Sequence, residues 1–190
     1  PIFDATATSG VGVMLSIHDA PAWASTPSGP DPIQTANVVL QLTQLYPSIL
    51  AVELFPAANT ATGWGAPPNP SAYAAVFYQT YLALQSQNRQ VTLIAAGLTP
   101  ALPGSGDTND LDFLQGLYAS GLQPVMPIVS VRMPDTTKEV LALPTPEEPR
   151  VLRHYEEVRN VMIRNNHLEG MIWLTNFSWP SGTINLADAT

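Results

Sequence analysis

Five stretches of nearly unbroken apolar residues punctuate the chain: Val11–Ile17, Ile49–Phe55, Val91–Ala96, Pro124–Ser130 and Gly170–Thr175. Each is strand-sized and rich in β-branched residues. Runs of this kind, without polar alternation, are expected of parallel strands covered on both faces. Between them the period changes. Ile33–Leu45 carries Ile33, Ala36, Val39, Leu40 and Leu42 at helical spacing, after an Asp31-Pro32 start that suits an N-cap and a first turn. Ser71–Gln87 has the strongest stripe, through Tyr73, Val76, Phe77, Tyr81 and Leu84. Asp110–Ser120 stops at Gly121, a suitable C′ residue. Glu147–Arg164 is charged on one face and apolar along Val151, Leu152, Tyr155, Val158 and Met162, and Phe3–Ser9 is expected to end another helix at Gly10.

Helix then strand, five times over, predicts an α/β domain with a parallel sheet, and 190 residues predict one such domain over 1–190. The segments after the strand ends, 19–30, 56–70, 97–107 and 131–146, are long and hold most of the prolines and glycines. Loops at the carboxyl ends of parallel strands are where α/β folds build their sites.

Composition narrows the function classes. The net charge is -8 with only seven Lys and Arg, so phosphate-driven binding of nucleic acid is not expected, nor is docking on an anionic lipid surface. No apolar run approaches the roughly 20 residues that cross a bilayer, so no transmembrane segment of its own is expected. Cysteine is absent, which removes disulfides, thiolate metal sites and thiol nucleophiles. Sparse charge, one lysine (Lys138) and plentiful Pro, Thr, Ser and Asn favour an extracytoplasmic location: periplasmic, cell-surface or secreted. The chain begins at Pro1 with neither an initiator Met nor a signal pattern, and is read as a processed product, a fragment or the observed part of something longer.

Two segments carry the most specific signal, Ala51-Val-Glu-Leu-Phe-Pro-Ala-Ala-Asn59 and Met171-Ile-Trp-Leu-Thr-Asn-Phe-Ser-Trp179. With Gly12-Val-Met-Leu-Ser-Ile-His-Asp-Ala-Pro-Ala-Trp-Ala24, Gly63-Trp-Gly65, Asn69-Pro-Ser-Ala-Tyr73, Val91–Gly97 and Asp112–Gly121, they follow one another in a familiar order. The chain resembles the retaining glycoside hydrolases of the cellulase and xylosidase type, built on a (β/α)8 barrel with catalytic glutamates after the fourth and seventh strands. The resemblance implies a TIM-barrel-like parallel domain, incomplete, with about five βα units, running from the end of helix two to just past strand seven. An open doubly wound parallel sheet is the alternative. It also implies that the acid/base and nucleophile positions are Ala57 and Asn176. Retaining hydrolysis needs two carboxyl groups about 5–5.5 Å apart. Ala57 has none, and the neutral amide of Asn176 is neither nucleophile nor general base, so no catalytic residue and no cofactor are expected.

Other acids are weighed against that gap. Glu53 shares a strand face with Ala57 by period-two alternation and is expected roughly 13 Å deeper as a structural acid. Asp19, after the first strand, could reach the mouth. Val125–Arg132 is apolar where the family places polar sugar contacts. His18, Asp19, Trp23, Asn59, Trp64 and Trp179 are the candidate ligand-binding residues, with the tryptophans either stacking on sugars or anchoring a protein interface. His154 and Tyr155 are expected at the surface and in the core, and His167 beside a helix end, where it favours the dipole. Three scattered histidines make no metal site, and Asp107, Asp110 and Asp112 are expected to cap a helix.

The leading expectation is a non-catalytic, glycosidase-derived domain serving as a structural or interaction subunit of a larger extracytoplasmic assembly, one version of which is membrane-associated. It would need protein partners. A carbohydrate-binding pseudoenzyme is the alternative, and a hydrolase with displaced carboxylates the third.

Overall fold

The computed structural model describes residues 2–102, 104–133 and 141–178. Helix α1 (Ile2–Ser9) leads into strand β1 (Val13–Ile17), then a 3-10 turn at Ala22–Ala24 and a small antiparallel ribbon of β2 (Ser25–Thr26) and β3 (Gly29–Pro30). There follow α2 (Pro32–Leu45), β4 (Ile49–Leu54), α3 (Ala61–Trp64), α4 (Pro70–Ser86), β5 (Thr92–Leu98), α5 (Asp110–Ala119), β6 (Ile128–Met133), α6 (His154–Arg164) and β7 (Met171–Phe177).

The same device starts the two longest helices. Asp31 before Pro32 and Asn69 before Pro70 each accept two backbone N–H groups of the first turn with one side-chain oxygen. Proline at the first helical position fixes φ and gives up an N–H that had no helical partner. Asn109 caps α5 in the same manner.

The strands pair in the order β1-β4-β5-β6-β7, every neighbour parallel. Each crossover carries a helix, and α2 packs on α4, α4 on α5 and α5 on α6. An order without reversal has no switch point, so the doubly wound alternative does not describe this sheet. It is a half-barrel. The side chains under the helices, among them Val52, Leu54, Leu93, Ala95, Val129 and Val131, join Tyr73, Phe77, Phe113 and Leu117 in the main core. Ala51, Ile94 and Ile128 form a separate small cluster, on the face where register aligns Ser16, Glu53, Ile94 and Ile128.

Several boundaries depart from the sequence pattern, β1 starting at Val13 and β5, β6 and β7 running on to Leu98, Met133 and Phe177, and three departures have a local cause. Strand β6 starts at Ile128, not Pro124, because Gln123–Val125 makes a 3-10 turn and Pro127 has no N–H for the ladder. Helix α6 starts at His154, not Glu147, since Pro149 disfavours helical backbone at Glu148. Strand β4 ends at Leu54, and Phe55 (φ 47°) and Ala57 (φ 64°) turn left-handed. That turn breaks the alternation that would have set Glu53 and Ala57 on one face.

Candidate functional site

Left-handed residues cluster where the chain leaves the sheet. Asp19 (φ 47°) follows β1, Phe55 and Ala57 follow β4, and Ala96 (φ 72°) sits in a bulge of β5. Outside glycine this conformation is uncommon and costs energy, so it persists where surrounding contacts enforce it. Here those contacts are mutual. The Ala57 N–H donates to the Gly97 carbonyl at 2.8 Å, and the Ala57 carbonyl accepts from both the N–H and the hydroxyl of Thr60. A Cβ on Gly63 would lie 2.3 Å from that carbonyl, so only glycine lets the turn close.

At the end of β1 the chain lines a cavity of about 310 Å³ that brings His18, Asp19 and Trp23 together, walled by Ile17, Thr35 and Phe55. Trp23 is 65% exposed and His18 and Asp19 are open to solvent. A smaller cavity of about 130 Å³ shares Asp19 and is closed by Gly63, Trp64 and Gly65.

The other candidate residues have structural partners. Asn59 is fully buried; its amide donates to the carbonyls of Thr99 and Thr108 and its oxygen accepts from the Thr99 N–H, at 2.8 to 3.0 Å. It ties together the segments that follow β4 and β5. Trp64 is buried against Phe55 and Tyr73, with its indole N–H donating to the Ser28 carbonyl at 2.8 Å. A Cβ on Gly29 would meet this indole at 2.3 Å. Trp179 lies outside the described residues.

The acids and their stand-ins are widely separated in role. Glu53 is 3% exposed, and its two oxygens accept from the Ser16 and Thr175 hydroxyls, each at 2.8 Å. Ala57 is locked in its turn. Asn176 is exposed and pairs with Arg132 across a bulge that leaves Thr175 as the extra residue, and Thr175 is the one that reaches Glu53. In β6, the buried Ser130 hydroxyl donates to the Ala95 carbonyl and accepts from the Gly97 N–H.

Two histidines depart from expectation. His154 is buried, its Nε2 2.6 Å from an oxygen of buried Asp110, which joins the starts of α5 and α6, while Tyr155 is 38% exposed. The Asp110 carboxylate thus serves a neighbouring helix, not its own cap. His167 is also buried, its Nδ1 2.9 Å from the Tyr118 hydroxyl. Burial, aided by Arg159, pushes its pKa below the ordinary value, so it adds no positive charge to a helix end at neutral pH. Among the described residues, no group of three or more His, Asp or Glu side chains is placed to hold a metal ion.

No protein-family model matches the chain, and no curated protein matches it in sequence. Among solved structures it is similar to the catalytic domain of GH30 xylanase C from Talaromyces cellulolyticus, at a TM-score of 0.47 and 11% identity, over 91% of this chain and 51% of that one. The chain spans about half the length of that domain.

Proposed function

We propose that this chain is a non-catalytic, glycosidase-derived domain, and that it serves as a structural or interaction unit within a larger extracytoplasmic assembly. The observation that carries this reading is the state of β7. Among the described residues it pairs only with β6, and Met171, Trp173 and Leu174 stay 52%, 38% and 37% exposed. An uncovered parallel edge with apolar side chains along it calls for further polypeptide.

The chemistry supports the non-catalytic part. Ala57 and Asn176 carry no carboxyl group, and the Glu53 carboxylate is buried under two hydroxyls. Asn59 and Trp64, two of the six candidate ligand contacts, are spent on packing, which favours an interaction role over sugar binding. Among the described residues no helix is long and apolar enough to cross a membrane, so any membrane attachment in this proposal comes through a partner or through other polypeptide.

Light scattering on natively isolated protein tests the reading. A mass well above that of the chain, at fixed stoichiometry, is expected. A well-behaved monomer of this chain alone would contradict it.

A further inference from the structure

We infer that the cavity at the carboxyl end of β1 receives an arginine side chain of a partner polypeptide. This rests on the interaction reading above and adds the chemistry of one contact.

The cavity presents acceptors and a flat aromatic face without a cation. The Asp19 carboxylate makes no hydrogen bond or ion pair among the described residues. Thr35, only 5% exposed, lines the wall with a hydroxyl that has no partner either. His18 adds a ring nitrogen, and the Trp23 indole stands open beside them.

Charge along the chain makes the deficit sharper. Residues 1–88 contain Asp4, Asp19, Asp31 and Glu53 and neither Lys nor Arg. Asp31 is spent on capping α2 and Glu53 on the Ser16 and Thr175 hydroxyls. Asp19 is left facing the cavity with no countercharge on the elements that wall it. Arg89, the first basic residue, is turned to the Thr43 carbonyl.

A guanidinium fits this set. It is planar, stacks on an indole, carries five N–H donors in a fixed fork, and bonds a carboxylate with two of them. A lysine ammonium would use Asp19 but gain less from the flat ring. A neutral sugar could hydrogen-bond this lining but would leave the Asp19 carboxylate without a countercharge.

The test follows the Trp23 indole N–H resonance, assigned by its loss in Trp23→Phe, as acetyl-Gly-Arg-Gly-amide is added to the intact chain. Saturable shifts are expected, absent with the citrulline peptide and weakened about tenfold in Asp19→Asn. No shift with the arginine peptide would overturn the inference, as would equal shifts with citrulline. A response to methyl glycosides in its place would also overturn it and assign the cavity to sugar. The citrulline arm uses wild-type protein, so it decides even if Asp19→Asn misfolds. The mass measurement is independent: a multimeric native protein with an unresponsive cavity sinks only this inference, and a monomer sinks the interaction reading.

Discussion

The Glu53 carboxylate on β4 accepts a hydrogen bond from the Thr175 hydroxyl on β7, at 2.8 Å and 122 residues apart in sequence. Two strands lie between β4 and β7 in the sheet. Flat, that would put them about 14 Å apart, farther than glutamate and threonine can reach toward each other. The bond therefore measures the curl of the half-barrel. With Ser16 on β1 completing it, one carboxylate links the two edge strands to the second strand.

Thr175→Val keeps the shape and removes this donor. A charged acceptor that loses a buried partner costs about 1–3 kcal/mol. Urea unfolding should show that loss, and amide exchange should rise in β7 more than in β5.

Asn59→Ala should cost more, about 3 kcal/mol, since it strips hydrogen bonds from Thr99 and Thr108 in a fully buried setting. The indole resonance of Trp64, packed in the same turn region, should shift with it. An unchanged denaturation midpoint would show that water replaces the amide.

Stability should fall at both ends of the pH range. Burial holds the His167 pKa below its ordinary value, so its contribution is present above about pH 6.5 and is lost as pH drops through the lower folded value. Burial raises the pKa of Tyr73 and of Tyr118 well above the ordinary value, so their contribution is present below about pH 10 and is lost as pH climbs further. Tyr73→Phe should flatten the alkaline slope. It should also lower stability at neutral pH, because the Ala96 N–H loses its phenolic acceptor. His167→Gln should flatten the acid slope.

Aryl glycosides should be cleaved no faster in the presence of the protein than without it. Turnover that vanished in Glu53→Gln or Asp19→Asn would instead make this a hydrolase with relocated acids.

Most of the architecture was legible because burial on both faces leaves an apolar signature in β4, β5 and β6, and β7 carries the same signature although its side chains stay largely exposed here. Asp31-Pro32 marked the start of α2, since cap chemistry is local, whereas periodicity alone set the next helix at Ser71, one residue inside α4 and past its Asn69 cap. The boundaries at Ile128 and His154 were less legible, because apolar residues in the turns before them, such as Val125 and Val151, help fill the core without belonging to the element. At the mouth, sequence named His18, Asp19 and Trp23, and the structure brings them into one cavity. It could not show that Asn59 and Trp64 are consumed by packing, as their partners Thr99, Thr108 and Ser28 are remote or unremarkable in sequence. Ser16 and Thr175 did carry a signal, each a hydroxyl interrupting an apolar strand. Pairing them through Glu53 required the curl, and joining Asp110 to His154 required the packing of α5 on α6.

Hydrogen exchange along β7 tests the central claim most directly, with β5 as the internal reference. In a parallel edge strand every second N–H points away from its one neighbour and exchanges readily. In the natively isolated assembly those outward amides should be protected nearly as well as the amides of β5, and the protection should disappear when this chain is prepared alone. Outward β7 amides that exchange freely in the native preparation would show that nothing pairs with that edge, and would contradict the account.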